Sequence, residues 1–190
     1  RKITGKKIDM ARVMPYIQHV EAGSWADIVQ GHADYYKYLP LVIEKFKPQQ
    51  VVELGSAAGT SALMMLSYLP DNAMLYACSI PEPEGEFRFI KDDYPNLKLI
   101  RGDDLDLSVW GNTDLAKTDI WFFDTNHTYE QISSEYKLYK PFFKKGCLVF
   151  IDDINLNEGM QQFWNEKKKK KLALPEWHTY LNTGFGVFTV

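Results

Sequence analysis

The chain has 190 residues, 45% of them hydrophobic and 25% charged, with a net charge of −3; this suits one soluble domain and leaves no room for a second of ordinary size. The balance excludes a broad electrostatic pull toward nucleic acid or anionic lipid, and no apolar run reaches the ~18 residues of a membrane span. No signal segment is visible, and the only cysteines, Cys78 and Cys147, sit in apolar strand-like runs, so buried free thiols and a cytoplasmic setting are expected.

In chain order, the first ~33 residues fit no sheet strand. Pro15, Gly23 and Gly31 break them into short pieces, and they read as a helical cap over whatever site the rest carries. Trp25, Tyr35, Tyr36 and Tyr38 lie in or beside that cap, suited to core packing or to stacking on a ring. Val51 to Leu54 is a short buried strand, and Thr60 to Leu69 follows as a helix with Ala62, Leu63, Leu66 and Leu69 on one face. Met74 to Cys78 is a second strand, Glu84 to Asp93 a helix, Leu97 to Ile100 a third strand and Asp119 to Phe123 a fourth. Tyr129 to Phe143 repeats its aromatic and aliphatic residues at helical spacing. Cys147 to Ile151 is a fifth strand, Gly159 to Lys170 a helix, and Lys167 to Lys171 reads as its solvated end. Trp177 to Leu181 and Gly184 to Val190 close the chain as two strands joined at Asn182-Thr183-Gly184.

Strands that alternate with helices and read as continuous apolar runs belong to a parallel sheet covered on both faces. The expected fold is therefore α/β: a Rossmann-like, doubly wound, mostly parallel seven-stranded sheet with an antiparallel edge strand. It forms a single domain over 1–190, with the cap at 1–33 and the core at 34–190.

Ligands of such sheets bind outside the carboxyl ends of the strands, where the strand order reverses. The first strand runs into Glu53-Leu54-Gly55-Ser56-Ala57-Ala58-Gly59. Gly55 permits a sharp turn, Gly59 permits close approach of a ligand, and the hydroxyls and N–H groups of Thr60 and Ser61 suit an anion. The spacing Glu53–x–Gly55–x–x–x–Gly59 differs from the dinucleotide G-x-G-x-x-G, since position 57 is Ala; this argues against a nicotinamide-dependent oxidoreductase.

The fourth strand runs straight into Asp124, with His127 three residues later, and the fifth runs straight into Asp152-Asp153. If these strands are neighbours, three carboxylates and an imidazole gather at the edge that carries the glycine turn. Clustered carboxylates repel and need a cation or protons, and hard divalent ions such as Mg²⁺ take such oxygen ligands. Asp residues at strand ends also cap helices and start loops, so both readings stand.

The glycine turn resembles the first motif of class I S-adenosylmethionine-dependent methyltransferases, E/D-x-G-x-x-x-G. The segments D-x-x-H-x-Y-E at 124–130 and G-x-L-x-x-x-D-D at 146–153 resemble a small-molecule group within them. That group includes the macrocin and mycinamicin sugar O-methyltransferases and the cephalosporin-hydroxylase-like proteins. The likeness runs over roughly 34–190 and is most specific from 119 to 154. It implies S-adenosylmethionine at Glu53, Gly55, Ser56, Ala57, Gly59, Thr60, Ser61, Ser79, Asp103 and Asp124. It also implies a divalent metal on Asp124, Asp152 and Asp153, with His127 and Asp124 catalytic and His127 as base. The acceptor would be a small molecule carrying a hydroxyl, sugar- or catechol-like, with neither nucleic acid nor membrane as partner. Two departures stand out. The second strand ends in Ala77-Cys78-Ser79 without the acid that holds the ribose, which leaves Ser79 or Glu82 for that contact. The metal pair begins with Asp152 where Glu is usual. The missing acid keeps a degenerate, non-catalytic domain that binds cofactor or a partner as the alternative. The acceptor's identity and the oligomeric state have no readable signature.

Overall fold

The computed structural model describes residues 7–17, 36–81, 94–168, 170–174 and 183–190. Seven strands form one sheet: β1 (Gln50–Leu54), β2 (Met74–Ser79), β3 (Leu97–Arg101), β4 (Ile120–Phe123), β5 (Leu148–Ile151), β6 (Lys171–Leu174) and β7 (Phe185–Thr189). Their order is β3-β2-β1-β4-β5-β7-β6. The first five strands pair in parallel, and β7 runs antiparallel to both β5 and β6. The antiparallel strand therefore lies one place in from the edge, with β6 outside it. Strand order reverses between β1 and β4.

Helices cover both faces: α1 (Met10–Ile17), α2 (Tyr38–Phe46) and α3 (Thr60–Leu66) on one, α4 (Tyr129–Tyr139) and α5 (Glu158–Glu166) on the other. Every residue of β1 and β4 is buried, as a central parallel strand requires. The side chains alternate between two cores. Val51, Ile120 and Phe122 join Leu39, Ile43 and Leu63, while Val52, Leu54, Trp121 and Phe123 join Ile132, Tyr139 and Phe163. Cys78 and Cys147 are buried thiols outside any disulfide. Among the described residues, no helix is long and apolar enough to cross a membrane.

Several elements depart from expectation. Pro15 lies inside α1 rather than ending it. This helix packs on the far end of α3, where the Arg12 Nε–H donates to the Ser67 carbonyl at 2.7 Å and the Asp9 N–H to the Tyr68 hydroxyl at 2.8 Å. Residues 18–35, most of the expected cap, lie outside the described residues. So do the helix expected over 84–93 and the strand expected over 177–181. The sixth strand forms earlier, at Lys171–Leu174. The lysine run is not a solvated helix end: α5 stops at Glu166. The Lys167 ammonium lies 3.8 Å from the Phe163 ring centre and 4.1 Å from that of Tyr136, and Lys171 donates to the Trp164 carbonyl at 2.5 Å. Cations are attracted to the faces of aromatic rings, so Lys167 holds to α4 and α5, and Lys171 ties α5 to the edge strand.

Candidate active site

The strand ends are level. Leu54 pairs with Cys78 and with Phe123, and Phe123 with Ile151. The chain leaves the sheet at one line, so Gly55, Asp124 and Asp152 share the carboxyl edge at the point where strand order reverses. The Asp124 N–H donates to the Leu54 carbonyl and the Asp152 N–H to the Phe123 carbonyl, both at 2.9 Å. Gly55 is obligatory here. At φ +89° it sits so close to β4 that an added Cβ would lie 1.8 Å from the Asp124 carbonyl oxygen. Ala57 takes φ 42° and Gly59 φ 91°, so the turn carries three left-handed residues; the alanine costs about 1–2 kcal/mol. Asp153, at φ 53°, is another non-glycine residue in the left-handed region and lies within the acidic cluster.

Glu53 turns inward rather than outward. Its carboxylate is fully buried, and its two oxygens accept the hydroxyls of Ser56 and Ser61. Burial drives its pKa up to about 7, the two hydroxyls pull it down, and the charge of Asp124 adds to the rise. The Glu53 and Ser61 side chains thus brace the glycine turn from beneath, and the Ser61 hydroxyl is already committed to this acid. Ser79, at the end of β2, is largely buried and sits opposite Arg101. Glu82 lies outside the described residues.

Asp124, His127, Asp152 and Asp153 converge. The His127 Nε2 atom lies 3.4 Å from Asp124 Oδ1, 3.6 Å from Asp153 Oδ2 and 3.7 Å from Asp152 Oδ2. It is buried and aligned in a hydrogen bond with none of them. A nitrogen ringed by oxygens at these separations leaves room for a small charged species among them. Ligand atoms of Asp124, His127 and Asp152 all lie within 4.8 Å of one another. Ligands about 2.1 Å from a divalent ion are about 3 to 4 Å apart, so this donor set fits one. It includes His127, whereas the sequence-based set named Asp153. Mixed imidazole and carboxylate ligands suit Mn²⁺, Fe²⁺ or Zn²⁺ as well as Mg²⁺. A proton on His127 also balances these carboxylates. Burial disfavours charge on His127, but contact with Asp124 and the charges of Asp124 and Asp153 outweigh it and hold its pKa above the ordinary histidine value.

Beyond β3, Asp103 is exposed and its Oδ1 accepts the Leu105 N–H at 2.9 Å, a local turn. Asp104 is buried and meets Glu135 of α4, which is wholly buried. Gln131 donates to Glu135 Oε1 at 2.6 Å and Thr125 donates to the same oxygen. Asp104 Oδ2 and Glu135 Oε2 find no donor among the described residues. Two buried carboxyls in contact cannot both ionise cheaply. Desolvation first, then the charge of Asp104, drive Glu135 to about 9.

Two contributors were missed in the sequence. The Tyr36 hydroxyl donates to Asp124 Oδ2 at 2.9 Å. Asn157 caps α5 by accepting the Met160 N–H at 3.0 Å, and its amide donates to the His127 carbonyl at 2.7 Å. Asn157 was legible as an N-cap before Glu158, but nothing in its spacing pointed to His127. A cavity of about 390 Å³ opens beside His127, bordered by Tyr129, Glu130, Glu158 and Gln162.

Comparison with known proteins agrees with this architecture. No curated protein matches the sequence. A family model described as "Methyltransferase domain" matches residues 52–154, more than half the chain. Among solved structures, the O-methyltransferase TomG from Streptomyces achromogenes, in complex with S-adenosylmethionine, superposes with TM-score 0.65 at 17% identity, covering 97% of this chain and 91% of that one. An O-methyltransferase from Bacillus cereus in complex with S-adenosylhomocysteine gives 0.64 at 15%, covering 95% and 87%. A methyltransferase from Geobacter sulfurreducens gives 0.64 at 17%, covering 96% and 97%. With its sheet order, its level strand ends and this match, the chain belongs to the methyltransferase domain family and has the fold of the class I, S-adenosylmethionine-dependent enzymes.

Proposed function

We propose that this chain transfers a methyl group from S-adenosylmethionine to a hydroxyl of a small-molecule acceptor, with a divalent cation held by Asp124, His127 and Asp152. The observation that carries the proposal is the convergence of these three side chains, with Asp153, on the edge that also bears the glycine turn. The complexes of the Streptomyces and Bacillus relatives with S-adenosylmethionine and S-adenosylhomocysteine support the choice of donor. A bound divalent ion would lower the pKa of an acceptor hydroxyl, which is otherwise a poor nucleophile at neutral pH.

The chain's own residues divide the work. The backbone of Gly55, Ser56, Ala57, Gly59 and Thr60 forms the cofactor-facing turn, held rigid by Glu53 and Ser61. Ser79 and Asp103 stand where ribose and adenine contacts are expected. Asp124 links the two halves, since its backbone abuts Gly55 and its carboxylate faces His127. The cavity beside His127 receives the acceptor, and the loop after Asp153 sets its selection. Holding donor and acceptor in line supplies the orientational part of the rate. We read 34–190 as the catalytic core and 1–33 as its cap.

A cation-free reading is favoured by one observation: the raised pKa of His127, which makes it the stronger proton acceptor. The same Nε2 cannot ligate a cation and take the proton at once, so the two readings are exclusive. Titration of folded protein with S-adenosylhomocysteine tests the shared part, and absence of binding heat removes both readings. Incubation with EDTA separates them, with loss of methyl transfer and recovery on Mg²⁺ or Mn²⁺ expected of the cation-assisted enzyme.

A further inference from the structure

We propose that Tyr36 is a positioning residue for the carboxylate–imidazole cluster, its hydroxyl holding Asp124 so that one carboxylate oxygen faces His127. The inference rests on the proposed reading of that cluster as a cation site. The two oxygens of Asp124 have different partners: Oδ2 accepts the Tyr36 hydroxyl at 2.9 Å, and Oδ1 lies 3.4 Å from His127 Nε2. The ring is fixed as well as the hydroxyl. It packs edge-on against Phe122 of β4, with centroids 6.0 Å apart and planes at 78°. Phe122 is fully buried and stands two residues before Asp124. Two residues beyond Tyr36, the first turn of α2 buries Tyr38 and Leu39. The hydroxyl is therefore delivered from a segment 88 residues away in sequence by a backbone that the core has already immobilised.

This arrangement has a chemical consequence. An aspartate at a strand end rotates about its last side-chain bond at little cost. With one oxygen occupied by a neutral donor, the carboxylate presents a single oxygen to a cation rather than chelating it with both, and its plane is set before anything binds. Partners behind ligating groups typically contribute 10–100-fold to metal affinity. Loss of the hydroxyl alone should have that effect, because phenylalanine keeps the ring against Phe122.

The test is calorimetric titration of the full chain with Mn²⁺ alone, for wild type, Tyr36→Phe, Asp124→Asn and Tyr68→Phe. The Tyr68 hydroxyl also makes one hydrogen bond, accepting the Asp9 N–H, remote from the cluster. Tyr36→Phe should weaken Mn²⁺ binding about 10–100-fold, with Tyr68→Phe at wild-type affinity and Asp124→Asn at no measurable binding. Wild-type affinity in Tyr36→Phe overturns the inference while leaving the cation site intact. Undiminished binding in Asp124→Asn, or none in wild type, removes the cation site. Crystal structures of wild type and Tyr36→Phe then decide the positioning role separately: the Asp124 carboxylate should turn away from His127 in the variant, and an unchanged orientation overturns it.

Discussion

Two groups of buried and half-buried acids lie near the same end of the sheet, and they meet the cost of burying charge in different ways. Asp124, Asp152 and Asp153 surround an imidazole. Asp104 and Glu135 meet each other, with neutral donors to Glu135 from Thr125 and Gln131 and the charge of Asp103 nearby. The first group has a basic nitrogen at its centre, which suits the cation or proton of the proposed site. The second lowers its charge by keeping a proton on Glu135, whose pKa is pushed up to about 9, and this ties the loop after β3 to α4. The two groups share their acids and differ in the imidazole: the proposed site rests on the buried His127 nitrogen, aligned in a hydrogen bond with none of its neighbours.

The largest effect expected from breaking this contrast comes from Gly55→Ala. Its new Cβ would collide with the Asp124 carbonyl at φ +89°, costing about 3–5 kcal/mol from strain and overpacking together. Chemical denaturation should show that loss. If the protein remains folded, Mn²⁺ binding should vanish while the pH signature of Asp104–Glu135 persists; full stability with intact Mn²⁺ binding would mean the strand ends are not held together as described.

A smaller effect is expected from pH and cation together. His127 has a raised folded pKa, so its protonation stabilises the fold below its ordinary pKa, and that contribution is lost as pH rises through the folded value. A divalent ion competes with this proton. At 100 times its dissociation constant, Mn²⁺ should add about 3 kcal/mol, seen as a melting-temperature rise that is larger at pH 8 than at pH 6. A rise larger at pH 6 would contradict the exchange of proton for cation.

The smallest effect belongs to the other pair. With a folded pKa of about 9 against an ordinary value of 4.5, Glu135 stabilises the fold while protonated in both states. That contribution drains away as pH rises through the interval. Glu135→Gln mimics the protonated form and can donate to Asp104. It should raise stability at pH 8 by about 1–2 kcal/mol and flatten the dependence between pH 5 and 9, as measured by thermal melts. A steeper dependence in the variant would mean the pair is neutralised by some other group.

Much of this was legible beforehand, because parallel buried strands write themselves as apolar runs and put their last residues on one line. Gly55, Asp124 and Asp152 follow directly from that geometry. Contacts that cross the chain were not legible. Tyr36 reaches Asp124 without any spacing that could announce it. Glu135 reads as one more surface charge on a polar helix, although its place three residues after Ile132 and four before Tyr139 put it on the buried stripe. The lysine run continues the helix in charge pattern only: the helix stops at Glu166, and the ammonium groups of Lys167 and Lys171 lie over aromatic rings while Lys168 and Lys170 are exposed. Glu53 was expected to face a ligand, and its carboxylate instead braces the turn from below, since two nearby serines satisfy it at lower cost than open solvent at a buried position.

The most direct measurement is anomalous diffraction from crystals soaked with Mn²⁺ and S-adenosylhomocysteine. The expected result is one strong peak within bonding distance of Asp124, His127 and Asp152, none between Asp104 and Glu135, and the cofactor product over Gly55–Gly59. Product bound at the glycine turn with no peak at His127, or with manganese bound elsewhere, would contradict a shared site for donor and cation.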